Sequence, residues 1–549
     1  MADDSAKPSK HPKALPFLFF SEMWERFGYY LMIGIFTLYL KDVKEGFAMT
    51  EAESADLYGT FIALVFLTPF LGGLLADRYF GYRKSIVAGG LMMGVGYCLM
   101  AIHSLPMLYA AMTLVIFGNG FFKPNISTLL GNVYNAPQYE KRKDEGYNIF
   151  YMGINIGAFI CNFFGAALYI MLGWGYAFMA AGIGMFIGVL IFMIGDKHYR
   201  EADVKKGTQQ DDMPMSKIVA IILLPSVAAG ILGWLIPGNW FGSDSTDAFI
   251  FACIPVVYFY ASLLIKATAE EKRPIAGLLA IFAAVILFWA VFKQNGSALN
   301  TWADRYTDRE VTGGTAEVLV ALKQAQTISY AKDTVPIYDE QFRLQKKEGA
   351  VMKELNYQPY FKNISEQARP ADGESIHLWS TNLSQSINPG WVILLTPLIV
   401  AMFTWLRRRG KEPSTPTKIA LGLFISALST LFMVWAVYET QNGTEKGSIF
   451  WLIMTYGVIT IGELFLSPMG LSLVSKLSPP RITALMMGGW FLSTSIGNKL
   501  SGVLASLWDT YEHKANFFWL NFALLMFAAV VMFAMLRWLN RIMQEKGLR

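Results

Sequence analysis

Charged residues are scarce in this chain. Only 16% of its 549 residues are Asp, Glu, Lys or Arg, while 54% are hydrophobic. Soluble globular domains are typically about a quarter charged, so this composition argues against a soluble fold. Uncharged runs such as 218–235, 391–405 and 517–536 are about as long as a helix needs to be to cross a bilayer. The sequence therefore predicts a membrane protein.

Cysteine and histidine are also rare. The three cysteines, Cys98, Cys161 and Cys253, lie far apart in apolar runs, a pattern unlike a disulfide framework or a CxxC metal site. The five histidines are scattered without ligand spacing, so we expect no metal and no cofactor. No nucleophile–base pattern stands out either, and we expect a protein that is not an enzyme. The net charge of +5 comes from basic residues at the ends of apolar runs, which does not indicate nucleic-acid binding.

The apolar runs predict an all-α membrane protein with about fourteen transmembrane helices. Lys and Arg cluster in alternate loops, at 83–84, 141–143, 272–273 and 407–409. Because basic loops stay in the cytoplasm, this bias predicts that both termini of the multi-pass chain are cytoplasmic.

The predicted helices divide into two bundles of six. We expect an N-terminal bundle over 1–200, two additional helices within 201–272, and a C-terminal bundle over 273–549. Gly118 precedes Pro124 by the same interval that separates Gly462 from Pro468, a faint internal repeat typical of secondary transporters.

A polar insertion at about 301–386 falls on the external side of the predicted topology. Its mixed charges and scattered apolar residues predict a small helical cap or an ordered loop, and not low-complexity disorder. An insertion with no role in transport is an equally good interpretation.

Seven ionisable residues lie inside apolar runs. At the centre of a bilayer each costs roughly 2.5–3.5 kcal/mol or more, so such residues are usually functional. The alternative is that these residues form ion pairs that only fix helix packing, and this alternative is strongest for Lys499. These residues are Glu22, Glu25, Arg26, Lys123, Lys293, Glu463 and Lys499.

Helical spacing places Glu22, Glu25, Arg26 and Tyr29 on one face. A carboxylate beside an arginine can exchange its partner for a proton while the arginine takes up an anionic substrate. Arginine also grips a carboxylate in bidentate fashion. Glu463, alone in its apolar run, would attract a cation such as an ammonium group. Together these residues suit a zwitterionic substrate.

Four segments resemble motifs of the proton-dependent oligopeptide transporter family, and a fifth, at 73–84, resembles the loop conserved in the major facilitator superfamily to which that family belongs. They follow the family's order along the chain and cover the whole predicted transport core outside 301–386. The segments are EMWERFGYY at 22–30, the loop at 73–84, FKPN at 122–125, FYMGINIG at 150–157 and GELFLSP at 462–468.

The resemblance implies a major facilitator fold in the cell inner membrane and proton-coupled import of di- and tripeptides by alternating access. It implies that Arg26 and Lys123 bind the peptide carboxylate, that Glu463 receives the amino group, and that Glu22 and Glu25 take part in proton coupling. The remaining substrate-binding positions that it implies are Asn155 and Asn388, which bond the peptide backbone, and Tyr29, Tyr30 and Trp490, which line the pocket.

Three residues depart from the family pattern. Phe66 stands where many members have tyrosine, and Ala158 replaces a small polar residue. Lys293 stands where many bacterial members have an acid, and that acid pairs with the lysine matching Lys123. The resemblance also places Lys293 at the substrate site. Two facing lysines would repel. We therefore hypothesise that Asp304 supplies the missing acid to an external gate.

The expected partners are small peptides, protons and the lipid bilayer, without nucleic acid, and we expect a monomer. A channel is disfavoured because no repeated filter-like loop is present. Another small anionic or zwitterionic substrate, such as a modified amino acid or nitrate, remains the alternative to peptides. The single Glu463 favours a substrate with an amino group.

Overall fold

The computed structural model describes residues 11–139, 143–203, 214–340, 342–347, 350–478 and 483–546. Within these ranges, eleven helices are long and apolar enough to cross a membrane. The predicted all-α membrane fold is confirmed. Lys141 and Arg142, predicted to be cytoplasmic, lie outside the described residues.

The chain forms two compact units, and the first comprises residues 1–36 and 64–208. Two helices are shared with the second unit: α1, whose last residues belong there, and α2, whose first half does. The helices of the first unit are α1 (Ala14–Lys41), α2 (Glu51–Leu75), α3 (Tyr82–Met100), α4 (Leu105–Tyr134), α5 (Lys143–Leu172) and α6 (Trp174–Ile194).

The second unit comprises residues 37–63 and 209–549. Its additional helices are α7 (Met215–Ile218), which continues into α8 (Leu224–Leu235), and α9 (Asp244–Ile265). The other helices of this unit are α10 (Ala269–Phe292), α11 (Ala298–Arg305), α12 (Gly313–Ala321), α13 (Ile387–Arg408), α14 (Thr415–Glu439), α15 (Phe450–Leu477), α16 (Thr483–Ser506) and α17 (Ala515–Glu545).

A 3₁₀ turn at Lys293–Gly296 interrupts the helical path between α10 and α11. Such an interruption frees backbone groups that need partners inside a membrane. The hydroxyl of Thr37 donates to the Gly296 carbonyl at 3.0 Å, and Gln294 donates to the Ser501 carbonyl at 3.0 Å. Side chains therefore stabilise the break, which begins at Lys293.

The repeated glycines Gly118 and Gly462 lie at equivalent helix crossings in the two units. In the first, a Cβ on Gly89 of α3 would lie 2.5 Å from the Gly118 carbonyl oxygen of α4. In the second, a Cβ on Gly422 of α14 would lie 2.8 Å from the Gly462 carbonyl oxygen of α15. Small residues let membrane helices approach closely, so each crossing requires glycine.

The described part of the 301–386 insertion is ordered, but it is not a helical cap, which was one of the two predicted alternatives. After the end of α11 it contains the nine-residue α12, three 3₁₀ helices and seven short strands. Alternating and β-branched residues between polar turns favour strands here, because few positions follow a helical period. The strands are β1 (Glu310–Val311), β2 (Ala325–Ser329), β3 (Asp333–Pro336), β4 (Lys346–Lys347), β5 (Ala350–Val351), β6 (Lys353–Asn356) and β7 (Ser375–Trp379).

Three small sheets result, in the orders β1-β7-β2, β3-β6 and β4-β5. Tyr330, Tyr360, Phe361, Ile376 and Leu378 form a local hydrophobic cluster beneath them. This cluster gives the insertion its own small core.

Candidate functional site

The centre of the first unit holds an arginine between two carboxylates on α1. Nε of Arg26 lies 3.0 Å from Oε1 of Glu22 and 2.5 Å from Oε2 of Glu25. All three residues are buried, with Glu25 fully inaccessible. The cluster predicted from helical spacing is therefore present. Two carboxylates therefore share one guanidinium, and protonation of either one would leave Arg26 with a single anionic partner on α1.

Tyrosines surround this cluster. The Arg26 guanidinium lies 5.6 Å from the centre of the Tyr29 ring, and Tyr29 meets the edge of Tyr30 at 5.4 Å. Tyr97 of α3, which the sequence analysis missed, is fully buried and within electrostatic range of Glu25 and Arg26. A tyrosine inside an apolar run was the available signal, but nothing in the sequence connected it to α1.

Gly157 of the FYMGINIG motif brings α5 against the charged face of α1. A Cβ at this position would lie 2.3 Å from the Met23 carbonyl oxygen and 3.2 Å from Cβ of Arg26. A larger residue would push the two helices apart beside the ion cluster. The glycine therefore positions the cluster without contributing a polar group.

Lys123 on α4 lies near the same cluster. Its ammonium lies 4.1 Å above the ring centre of Phe66 on α2, and its charge acts on Glu25. The phenylalanine that departs from the family pattern thus offers the lysine an aromatic face, a cation–π contact that needs no hydroxyl. The first unit consequently brings together Arg26, Lys123 and both glutamates.

Asn155, on α5, is buried, and its amide nitrogen donates to the Tyr151 carbonyl one turn earlier, at 2.9 Å. This bond is local to the helix.

Glu463 of the second unit is held by an asparagine from another helix. The Asn388 amide nitrogen lies 3.3 Å from Oε2 of Glu463 and 2.8 Å from the Thr460 hydroxyl. Both acceptors lie on α15, one turn apart, and Asn388 lies in the first turn of α13. The amide therefore orients the Glu463 carboxylate, which can still accept further hydrogen bonds.

Lys293 lies within electrostatic range of Glu463 in the second unit, and its positive charge acts on the carboxylate. The same ammonium lies 5.8 Å from the Trp289 ring and 5.7 Å from the Phe292 ring. Helix spacing relates residues only within one helix, so no sequence pattern indicated that Lys293 on one helix acts on Glu463 on another.

Trp490 on α16 is buried by helix packing. Its ring meets Phe282 edge-on at 6.3 Å and occupies the space beside Gly470, where a Cβ would lie 1.8 Å from the indole. These contacts lie within the helices of the second unit.

Asp304, assigned to a possible external gate, has partners in the insertion and the turn before α13. It lies 3.2 Å from Nη2 of Arg309 and accepts from the Thr381 hydroxyl at 2.9 Å. A neighbouring buried group was missed: Glu51 accepts from Lys41 at 3.1 Å and from the Thr301 hydroxyl at 2.7 Å. These residues lie at or near helix ends, where the sequence alone predicts that charged side chains are exposed.

Lys499 of α16 has an acidic partner that the sequence did not indicate. Its ammonium lies 2.6 Å from Asp56 of α2 and 2.6 Å from the Thr60 hydroxyl. Ser243 and Ser245, at the start of α9, donate to the same aspartate at 2.9 and 2.6 Å. This Asp56–Lys499 network supports the packing interpretation of Lys499.

Within the described part of the chain, no group of three or more His, Cys, Asp or Glu side chains is arranged to hold a metal ion. The ionisable groups instead form separate clusters inside a set of apolar helices. Such an arrangement is characteristic of secondary transporters, in which buried charges mark ion and substrate pathways. The fold and these groups define a multi-pass membrane transporter.

Comparison with known proteins specifies this class further. The sequence profile of the POT family matches residues 83–328 and 364–520. The chain belongs to the POT family.

Three similar proteins illustrate the relationship. The chain is 28% identical to dipeptide and tripeptide permease A of Proteus mirabilis (strain HI4320), over 94% of this chain and 91% of that protein. It is 27% identical to the uncharacterized transporter YclF of Bacillus subtilis (strain 168), over 92% and 90%. A crystal structure of peptide transporter POT in complex with sulfate superposes with a TM-score of 0.75 at 26% identity, covering 98% of both chains.

Proposed function

We propose that this protein imports di- and tripeptides together with protons by alternating access. The observation that carries the proposal is the buried group in which Glu22 and Glu25 share the single guanidinium of Arg26. Family membership and the similarity to a dipeptide and tripeptide permease support the same substrate class.

Arg26 and Lys123 would bind the peptide carboxylate. A planar guanidinium suits a carboxylate, and a lysine nearby adds a second positive charge. Since Arg26 is already engaged by two glutamates, the substrate carboxylate must compete with them. Protonation of one glutamate would weaken that competition, so proton and peptide binding would favour each other.

Glu463 would receive the peptide amino group, with Asn388 orienting its carboxylate. Asn155 and Asn388 would bond the peptide backbone, while Tyr29, Tyr30 and Trp490 would surround the side chains. Dipeptides and tripeptides share both charged ends and differ in length. Recognition through the ends would therefore admit both lengths.

The transporter would lie in the cell inner membrane as a monomer, with both termini in the cytoplasm. The basic clusters at 83–84, 272–273 and 407–409 support this orientation. We retain the division into six helices, two additional helices and six helices, at 1–200, 201–272 and 273–549.

A second candidate substrate is a small anion without an amino group. It is favoured by Lys293, whose ammonium attracts Glu463 from within the same unit. A lysine in this position can neutralise the carboxylate that would otherwise select for a substrate ammonium. Arg26 and Lys123 would still bind the anion.

The test is uptake of a labelled dipeptide into liposomes containing the purified protein, with and without an inward proton gradient. Unlabelled dipeptide, N-acetylated dipeptide, free amino acids and nitrate serve as competitors. Accumulation that needs the gradient and is blocked only by free-amino dipeptides would support the peptide symporter.

Block by N-acetylated dipeptide or nitrate at equal concentration would instead support the anion transporter. Absence of both uptake and counterflow, in protein that is monodisperse, would overturn both candidates. Replacement of Arg26 by Lys then tests the bidentate role, because a point charge cannot reproduce the planar contact.

A further inference from the structure

A long apolar groove separates the additional helix α9 from α10 and α16. It has a volume of about 530 Å³. Phe249, Cys253 and Val257 line it from α9, Ile286 lines it from α10, and Ile496 and Val503 line it from α16. All of these helices belong to the second unit, and none of these residues is part of the candidate transport site.

The groove follows one face of α9. Its lining residues on this helix recur every three or four positions from Thr246 to Tyr258. At 1.5 Å per residue this stretch is about 18 Å long, which is more than half of the ~30 Å hydrocarbon core. The groove is therefore elongated along α9, with the shape of a chain and not of a compact solute.

The polar end of the groove is already satisfied by protein groups. Thr246 and Lys499 lie there, and the ammonium of Lys499 is bonded to Asp56 at 2.6 Å, to Thr60 at 2.6 Å and to Ser245 at 3.0 Å. The hydroxyl of Thr246 is likewise 3.1 Å from Asp56. A ligand in the groove would meet apolar side chains and no charge in need of a partner.

The opposite rim faces outward from the helices. Ile254, Val257 and Tyr258 are 55%, 54% and 73% exposed, and all three lie inside a candidate membrane span. In a membrane, the medium at this rim is lipid. An apolar space open to lipid does not hold water, because water needs polar partners that this lining does not offer.

We propose that this groove binds one acyl chain of a membrane phospholipid. The chain fills the space that the helix pair α8–α9 leaves beside α10 and α16. The Asp56–Lys499 network attaches α9 at one end of the groove, and the acyl chain completes its packing along the rest. The acyl chain is already out of water in a bilayer, so its retention comes from van der Waals contact on several sides, which a flat helix surface does not offer.

The test is native mass spectrometry of the delipidated full-length protein in detergent, titrated with phosphatidylglycerol, phosphatidylethanolamine or a free fatty acid. Wild type is expected to retain one lipid of any of these headgroups. The Val257→Trp variant, which fills the groove from its exposed rim, is expected to retain less than a tenth as much.

Val227→Trp is the matched control, because Val227 is 59% exposed on α8 and does not line the groove. Equal lipid retention by Val257→Trp and wild type would overturn the proposal, as would retention governed by the headgroup.

A second measurement needs no variant: a phospholipid with a diazirine in its acyl chain is added at one equivalent and photolysed.

Insertion confined to the lining residues of α9, α10 and α16 supports the site. Labelling spread evenly over exposed helices would overturn the proposal, because it would show that the groove meets only bulk lipid.

Discussion

At the scale of single residues, charge pairing distinguishes the two units. In the first, Arg26 lies between Glu22 and Glu25, so a cation has more anionic partners than its charge can match. In the second, Glu463 has the Asn388 amide at 3.3 Å and the charge of Lys293 nearby. In each unit the buried acidic groups thus have charged or polar partners within the protein.

Replacing Glu463 with Gln should abolish accumulation of dipeptides that carry a free amino group. A hydrogen bond to a charged group contributes about 1.5–3 kcal/mol, so the apparent affinity should fall by about 10- to 100-fold. The measurement is gradient-driven uptake in liposomes. Glu366→Gln, at an exposed position of the insertion, is the control, and wild-type affinity in Glu463→Gln would refute the ammonium role.

Replacing Lys293 with Met should raise the affinity for free-amino dipeptides about tenfold, because the competing ammonium is removed while the aliphatic length is kept. Affinity for N-acetylated dipeptides should not change. Competition curves against one labelled substrate measure both. A parallel loss for all substrates would show that Lys293 supports transport itself and not selectivity.

At the scale of helices, close packing places the charges. Gly157 lets α5 approach α1 beside Arg26, and paired glycines at 89/118 and 422/462 bring together α3 with α4 and α14 with α15. The additional helix α9 is attached differently, by serine hydroxyls that bond Asp56. Helix positions in this protein are thus set by small residues in some places and by buried polar groups in others.

Gly157→Ala should lower both stability and transport. The new methyl group would lie 2.3 Å from the Met23 carbonyl oxygen, and a backbone atom cannot move aside as a side chain can. Overpacking of this kind costs about 1–3 kcal/mol or more. Thermal stability by fluorescence-detected gel filtration, together with uptake, checks this. Gly314→Ala, where nothing lies within 4 Å, should resemble wild type, and an equally stable Gly157→Ala would contradict the argument.

The single substitution Lys499→Met should destabilise the protein more than the double substitution Asp56→Asn/Lys499→Met. Breaking a buried ion pair leaves one charge without its partner and costs about 3–5 kcal/mol. The effect should fall at the low end, since the Asp56 side chain is 27% exposed. A double-mutant cycle on thermal stability measures the coupling. Additive losses would mean that the two residues do not depend on each other.

At the scale of the whole molecule, basic loops set the orientation. The strand-rich insertion should therefore face the outside, and the loop after α13 the cytoplasm. With Cys98, Cys161 and Cys253 replaced by Ala, an impermeant maleimide should label Glu366→Cys in intact cells. It should label Lys411→Cys only after permeabilisation, and the reverse pattern would invert the topology.

The sequence by itself determined the membrane class, the helical fold and the family. Hydropathy reports whether a segment is apolar enough to cross a bilayer, and that property is local. The face shared by Glu22, Glu25, Arg26 and Tyr29 followed from helical spacing alone. The family motifs likewise lie in short continuous segments.

The tertiary structure decided what depends on pairs of residues distant in sequence. It joined Lys499 to Asp56 and Asn388 to Glu463, and it placed Lys293 within electrostatic range of Glu463; helix spacing relates none of these pairs. It also showed that the insertion contains paired strands, such as β1 with β7, whose partners lie more than sixty residues apart in sequence. The apolar groove beside α9 is formed by three helices together, so it cannot be predicted from any single segment of the sequence.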